Sequence, residues 1–146
     1  MRILVMHGPN LNMLGQREAA VYGSSTLSDI NLALVTQGDE LGVEIETFQS
    51  NHEGELVDKL HESKGRVDGV VINPAAFTHT SIALRDAFLA VSIPFVEVHI
   101  SNVYSREPFR HKSLLSDVAI GVVAGFGPLS YTMGLEGLLG YLSNES

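Results

Sequence analysis

Five short runs of apolar and β-branched residues recur along the chain: Ile3 to His7, Val43 to Gln49, Gly69 to Asn73, Phe95 to Ile100 and Ala119 to Ala124. Each has the length of a strand, and near-continuous hydrophobicity in a strand implies burial on both faces, as in a parallel sheet covered by helices. Parallel strands need crossover connections, and the intervening segments have the period to supply them. Ser25-Thr26 precedes Leu27, Ile30, Leu34 and Leu41 at helical spacing, with Gly42 as a stop signal. Glu53 to Ser63 places Leu56, Val57 and Leu60 on one face, Ser81 to Val91 carries Ile82, Leu84, Ala87 and Phe88, and Tyr131 to Leu142 closes the chain. Strands alternating with helices predict right-handed βαβ units in an α/β fold.

The expected architecture is a three-layer α/β/α sandwich, flavodoxin-like, on a five-stranded parallel sheet of order 2-1-3-4-5. A length of 146 residues fits one domain, residues 1–146, and a domain near this size buries roughly 70% of the surface its unfolded chain exposes. Cysteine is absent, which removes disulfides, thiolate metal sites and thiol nucleophiles. The formal charge of −8 argues against nonspecific binding to nucleic acid or an anionic membrane, since both depend on a positive field. An anionic ligand therefore needs a local cluster of Arg. The chain enters its first strand with no secretory-type segment, and no apolar run approaches the ~20 residues that span a bilayer. A soluble cytoplasmic protein is expected.

Open α/β sheets place ligands where strands end at their carboxyl termini. Three polar islands stand at such positions: His7-Gly8-Pro9-Asn10-Leu11-Asn12 on to Arg17 and Tyr22, Asn73-Pro74 on to Thr78-His79-Thr80-Ser81, and Glu97-Val98-His99-Ile100-Ser101-Asn102 on to Arg106 and Arg110. In the order 2-1-3-4-5 the crevice lies between the first and third strands, so the loop after His7 neighbours the loop after Asn73, with His99 beside them. The topology predicts one composite site, and the chain reads as an enzyme.

The stretch from Gly8 to Ser25 is long for a βα connection, which usually takes about 2–6 residues, and such loops often serve as lids. An unperturbed phenol, with a pKa near 10, is only about a thousandth ionised at neutral pH. Arg17 beside Tyr22 favours the phenolate by Coulomb attraction, which turns Tyr22 into a usable base; the bland alternative is a surface Tyr and a solvated Arg. Asn10 is either a site residue or a turn-former, since Gly-Pro-Asn favours turns. The segment lacks the Gly-x-Gly-x-x-Gly spacing and the Gly-Lys-Ser/Thr ending of phosphate loops, and the Ser and Thr of a flavin-phosphate loop. A receiver domain wants Asp at the end of the third strand, where Asn73 stands.

Glu97 and His99, two apart on a strand, point to the same face. A carboxylate beside an imidazole fixes its tautomer and favours the protonated form, as a proton donor requires. His99 is the candidate general acid; otherwise the pair is a satisfied core feature, though a charged pair in an apolar strand is costly without purpose. Arg106 and Arg110 flank Pro108, which suits a first helical turn, so a short helix is expected here. Two guanidiniums can bind hydroxyls or a carboxylate. His79 belongs either to the site or to the capping region of the next helix. Asp86 next to Arg85 reads as a surface ion pair. No His-Glu-x-x-His spacing exists, and no metal is expected.

Taken together, the residues resemble type II 3-dehydroquinate dehydratase from end to end. Gly8-Pro9-Asn10-Leu11-Asn12-Met13-Leu14-Gly15-Gln16-Arg17-Glu18 with Tyr22-Gly23 is similar to the family's opening signature; Ala76-Phe77-Thr78-His79-Thr80-Ser81 and Glu97-Val98-His99-Ile100-Ser101-Asn102 are similar to its second and third. The resemblance implies anti elimination of water from 3-dehydroquinate to 3-dehydroshikimate through an enolate, within the shikimate pathway to aromatic amino acids, with no cofactor and no Schiff base. It implies Tyr22 as the base that removes the proton alpha to the ketone, and Arg17 as the group that favours its phenolate. Asn10 would help hold a water at the enolate oxygen, and His99, oriented by Glu97, would protonate the departing hydroxyl. It further assigns Asn73, Ile100 and Ser101 to the substrate carboxylate, His79 and Arg110 to ring hydroxyls, and Arg106 to the site. Asp86 matches a residue that reaches into a neighbouring subunit's site, and the implied assembly is a homododecamer, a tetramer of trimers.

This chain departs from the family's pattern at three places. Ala19 stands where Pro commonly follows Arg-Glu, which loosens the lid. Ala75 replaces a frequent Gly, implying a backbone that tolerates a Cβ there. Leu114 stands where an aromatic is common after His-Lys-Ser, near an expected subunit contact. None of the three removes a catalytic group.

Overall fold

The computed structural model describes residues 1–16 and 24–145. Its strands are β1 (Arg2–His7), β2 (Glu44–Gln49), β3 (Gly69–Asn73), β4 (Phe95–His99) and β5 (Gly121–Ala124). Its helices are α1 (Leu27–Leu41), α2 (Glu53–Ser63), α3 (Ile82–Val91) and α4 (Leu129–Glu145). The strands pair in parallel in the order β2-β1-β3-β4-β5, which is the expected flavodoxin-like sheet. His7 stands opposite Asn73 in register, so the chain leaves β1 and β3 at one level.

Alternate residues of β1 feed two separate cores, because successive side chains in a strand point to opposite faces. Leu4 and Met6 join Leu56 and Leu60 of α2 and Leu84 and Phe88 of α3 on one side. Ile3 and Val5 join Ile30 and Leu34 of α1 and Leu135 and Leu138 of α4 on the other. The sheet is thus the middle of three layers. Burial on both faces holds for β3 and β4 throughout and for β1 after Arg2, whereas the edge strands β2 and β5 are mostly half-buried. Glu46 of β2 uses that partial exposure to pair with Lys59 at 2.6 Å.

Local signals account for both ends of α1 and for the start of α3. Thr26 caps α1 in a reciprocal box with Asp29, and Gly42 ends it at φ 72°. Ser81, and not His79, caps α3 by accepting from the Leu84 amide at 2.9 Å. β5 starts later than the apolar run suggests, because the amides of Val118 and Ala119 both turn back to the Leu115 carbonyl. The short helix expected around Pro108 is two separate 3₁₀ turns, Val103–Ser105 and Pro108–Arg110, with Pro108 in the first position as anticipated.

Two backbone details set the crevice. The Gly8 amide donates to the Asn73 carbonyl at 2.8 Å, and a Cβ on Gly8 would lie 2.4 Å from the Pro74 carbonyl oxygen. Only glycine permits that approach. Ala75 overturns its expectation, for its φ is 51°, a left-handed conformation that a Cβ disfavours. The turn out of β3 imposes it, carrying the Ala75 amide back to Asn73 Oδ1 at 3.1 Å. Ala75→Gly is expected to raise stability by about 1 kcal/mol, read from the midpoint of urea unfolding; an unchanged or lower midpoint contradicts strain at this residue.

Candidate active site

The carboxyl ends of β1, β3 and β4 open into a single pocket, lined from the first by Asn10, from the second by Asn73 and His79, and from the third by His99, Ile100 and Ser101. Arg106 and Arg110 close its rim. The three islands therefore meet. Although the chain is acidic overall, the ionisable side chains lining this pocket are two guanidiniums and two imidazoles, a field suited to an anionic, oxygen-rich ligand.

Asn10 adopts φ 69°, and its backbone amide donates to Asn51 Oδ1 at 2.9 Å. Its two readings are both true: it makes the turn, and the turn brings it to the pocket. His79 donates from Nδ1 to the Lys112 carbonyl at 2.7 Å, which leaves Nε2 as its free nitrogen. Arg106 reaches Ser101 Oγ at 3.4 Å, and Arg110 Nε binds Glu107 Oε1 at 2.9 Å. Glu107 lies between the two arginines, and its own backbone amide and Arg110 hold its carboxyl below the usual glutamate range.

Glu97 is the most heavily serviced group of the site. Its carboxylate is 1% exposed and accepts from His99 Nε2, from Thr78 Oγ1 at 2.6 Å, from Ser113 Oγ at 2.9 Å and from Ser116 Oγ at 2.8 Å. Burial alone pushes such a carboxyl up, but the hydrogen bond and charge of His99, with the hydroxyls of Thr78 and Ser116, outweigh it and hold Glu97 below its ordinary range. Glu97 is thus an anion, and the Nε2 hydrogen of His99 belongs to it. The other ring nitrogen, Nδ1, is left to exchange a proton with a bound molecule.

Ser113 and Ser116 escaped the sequence reading because the segment between β4 and β5 has no periodicity to locate them. The one available signal was Glu97 itself, since a buried anion requires several donors. A second omission is His7, which the sequence places at the head of the first polar island but gives no role: it is fully buried and bonded to Tyr131 and Asn31, and burial lowers its pKa to about 4.

Asp86 is exposed on α3 and does not line the pocket. Nor does it take Arg85 as its hydrogen-bonded partner: Arg85 turns to Asp117 and to the Leu114 carbonyl. Asp117 bonds at the reach of that side chain, whereas Asp86 is its immediate neighbour on a helix, where adjacent side chains diverge. Arg17, Tyr22 and Ala19 lie outside the described residues. Among the described residues no group of three or more His, Asp or Glu could hold a metal ion, and no helix is long and apolar enough to cross a membrane.

Fold and site define an α/β enzyme that works by proton transfer at the carboxyl edge of a parallel sheet. The chain belongs to the class II dehydroquinase family, whose model matches residues 1–139. It is 58% identical over 142 residues to the 3-dehydroquinate dehydratase of Prochlorococcus marinus (strain NATL1A), covering 97% of this chain and 98% of that protein. The crystal structure of type II dehydroquinase from Butyrivibrio crossotus DSM 2876 is similar with a TM-score of 0.92 at 45% identity, over 94% of this chain and 97% of that one. That from Propionibacterium acnes has a TM-score of 0.89 at 42% identity, over 94% of each chain.

Proposed function

We propose that this chain is a 3-dehydroquinate dehydratase, a hydro-lyase that eliminates water in the anti sense from 3-dehydroquinate to give 3-dehydroshikimate in the shikimate pathway. The observation that carries the reading is the Glu97-His99 pair, buried at the end of β4 and opening into a cationic pocket, in a chain that matches the family over nearly its whole length.

Tyr22 as phenolate takes the proton alpha to the ketone, and the electron pair moves onto the carbonyl oxygen as an enolate. Arg17 favours the phenolate, and Asn10 helps hold a water at the enolate oxygen. The enolate then collapses, the bond to the β-hydroxyl breaks, and His99 gives its Nδ1 proton to the departing oxygen. Water leaves, and an enone remains. Asn73, Ile100 and Ser101 receive the carboxylate, His79 and Arg110 the ring hydroxyls, and Arg106 completes the rim. Every step is a proton or electron-pair transfer within the substrate and these side chains, so the reading needs no cofactor.

The same reading makes residues 1–146 one catalytic domain of a cytoplasmic enzyme assembled as a homododecamer, a tetramer of trimers. The exposure of Asp86 supports it, as a side chain that reaches a neighbouring subunit's site must face outward from its own. Exposed Phe109, Phe126 and Leu129 supply apolar surface for such contacts. Enone absorbance should grow when 3-dehydroquinate is added, and borohydride added with substrate should leave the enzyme active, since no lysine imine forms. A flat trace with intact substrate rejects the activity.

A further inference from the structure

Gln49-Ser50-Asn51 stands at the carboxyl end of β2, outside the three polar islands, and neither Gln49 nor Asn51 lines the pocket. Both side chains nevertheless turn toward the chain that leaves β1. The two strands run in register up to His7 and Gln49, and the Ser50 amide donates to the His7 carbonyl at 3.1 Å. There the backbone ladder stops, because Pro9 has no N–H to give and the Gly8 amide goes to Asn73 on the other side. Side-chain amides take over. Gln49 Nε2 donates to the Gly8 carbonyl at 3.2 Å and to Asn51 Oδ1 at 3.2 Å, and Asn51 Oδ1 accepts from the Asn10 amide at 2.9 Å.

Backbone partners fix which end each carboxamide presents. A carbonyl can only accept, so Gln49 meets Gly8 with its nitrogen; an N–H can only donate, so Asn51 meets Asn10 with its oxygen. That one oxygen takes both hydrogens. The turn that carries Asn51 is braced in its own right: Ser50 is buried, and its Oγ accepts from the His52 amide at 2.9 Å and donates to Glu55 of α2. Asn10 is held at both ends of its backbone, its amide by Asn51 and its carbonyl by the Met13 amide at 3.0 Å. Its φ of 69° lies in the left-handed region, and its side chain makes no capping bond to the 3₁₀ turn Leu11–Met13 that follows. The backbone restraints therefore decide where that side chain goes, and Asn10 lines the pocket.

We propose that Gln49 and Asn51 are positioning residues that hold Asn10 in its left-handed turn and so aim its side chain into the pocket. A Gly-Pro-Asn segment is compatible with more than one turn type, and a displacement of about 1 Å in a reacting geometry can cost about 100-fold in rate. Two hydrogen-bonded carboxamides on the neighbouring strand restrict the segment to one conformation. The inference rests on the reading that Asn10 helps hold a water at the enolate oxygen.

Because the enolate forms after substrate has bound, Asn51→Ala is expected to lower kcat about tenfold with KM within about twofold. Asn10→Ala should lower kcat about 100-fold, and adding Asn51→Ala to it should change nothing more, since Asn51 acts only through Asn10. Two amide-to-carboxylate changes separate positioning from mere solvation. Asn51→Asp keeps both accepting lone pairs and should keep kcat within about twofold of the parent. Gln49→Glu sets oxygen against the Gly8 carbonyl; Asn51 then turns its nitrogen to the new carboxylate and releases Asn10, so kcat should fall as in Asn51→Ala. Without any substrate, NMR of ¹⁵N-labelled protein should show the Asn10 amide hydrogen exchanging at least about tenfold faster in Asn51→Ala and Gln49→Glu than in the parent and Asn51→Asp. Urea midpoints close to the parent's show that the fold is kept. A rise in KM at constant kcat in Asn51→Ala, additive losses in the double variant, equal effects of Asn51→Asp and Gln49→Glu, or an Asn10 exchange rate indifferent to Asn51 overturns the proposal. A parent protein without turnover, whose Asn10 exchange still follows Asn51 as expected, leaves Asn51 as the anchor of Asn10 and sinks only the reading of the reaction.

Discussion

Tyr22→Phe is expected to abolish turnover of 3-dehydroquinate, lowering kcat by about 10⁴-fold while KM stays within a few-fold of the parent. General acid–base groups contribute about 10²–10⁴ each, and the loss sits at the upper end because the other groups of the pocket are assigned other work. His99 is committed as the acid, with one nitrogen bound to Glu97. Asn10 and Asn73 are not bases, a guanidinium such as that of Arg106 or Arg110 has no lone pair to accept a proton, and His79, anchored through Nδ1 to the Lys112 carbonyl, is assigned to a ring hydroxyl. The phenol differs from phenylalanine by one oxygen, so shape and apolar packing are retained and substrate binding should survive. Steady-state kinetics of the purified variant, with unfolding midpoints as a control on structure, check the result. Turnover within tenfold of the parent rejects Tyr22 as the base.

Glu97→Gln is expected to damage stability and catalysis together. Three hydroxyls and an imidazole N–H aim at this carboxylate. A carboxamide keeps one oxygen and replaces the other with a donor, leaving one or two of those groups facing an N–H. An orphaned buried donor costs about 1–3 kcal/mol, so unfolding stability should fall by about 3 kcal/mol. In catalysis the imidazole loses the anion that orients it and fixes its tautomer, and kcat should drop about 100-fold. The folded carboxyl of the parent binds its proton less tightly than in the unfolded chain. The unfolded chain therefore takes up more protons on acidification, and this stabilisation is present above the ordinary glutamate range and lost as pH falls below it. The Gln variant should lack that part of the acid sensitivity. Equal urea midpoints at neutral pH for the two proteins contradict the role assigned to the cradle.

The elements most visible in the sequence are those whose signal is local. Thr26 with Asp29 and the Gly42 stop announce α1, and the run Gly69-Val70-Val71-Ile72-Asn73 announces β3 to the residue. Parallel pairing and strand order follow, because buried strands joined by helices leave few arrangements. The Glu97-His99 pair was legible from period-two geometry alone. Less visible were the features made by distant backbone. Ala75 is bent by the need to return its amide to Asn73, and Ser113 and Ser116 become functional only because a loop folds over the end of β4.

By itself the sequence determined the three-layer sheet, the end of it at which ligands collect, and the residue types available there, since those depend on periodicity and on chemistry written in side chains. Tertiary structure alone decided which oxygen, nitrogen or hydrogen each of those side chains presents. Donors to Glu97 come from beyond β3 and β4, and the Asn73 carboxamide is oriented by the Ala75 amide in the turn that leaves β3. Orientation in a buried hydrogen-bond network is a property of the whole set of partners, and those partners meet only once the chain is closed.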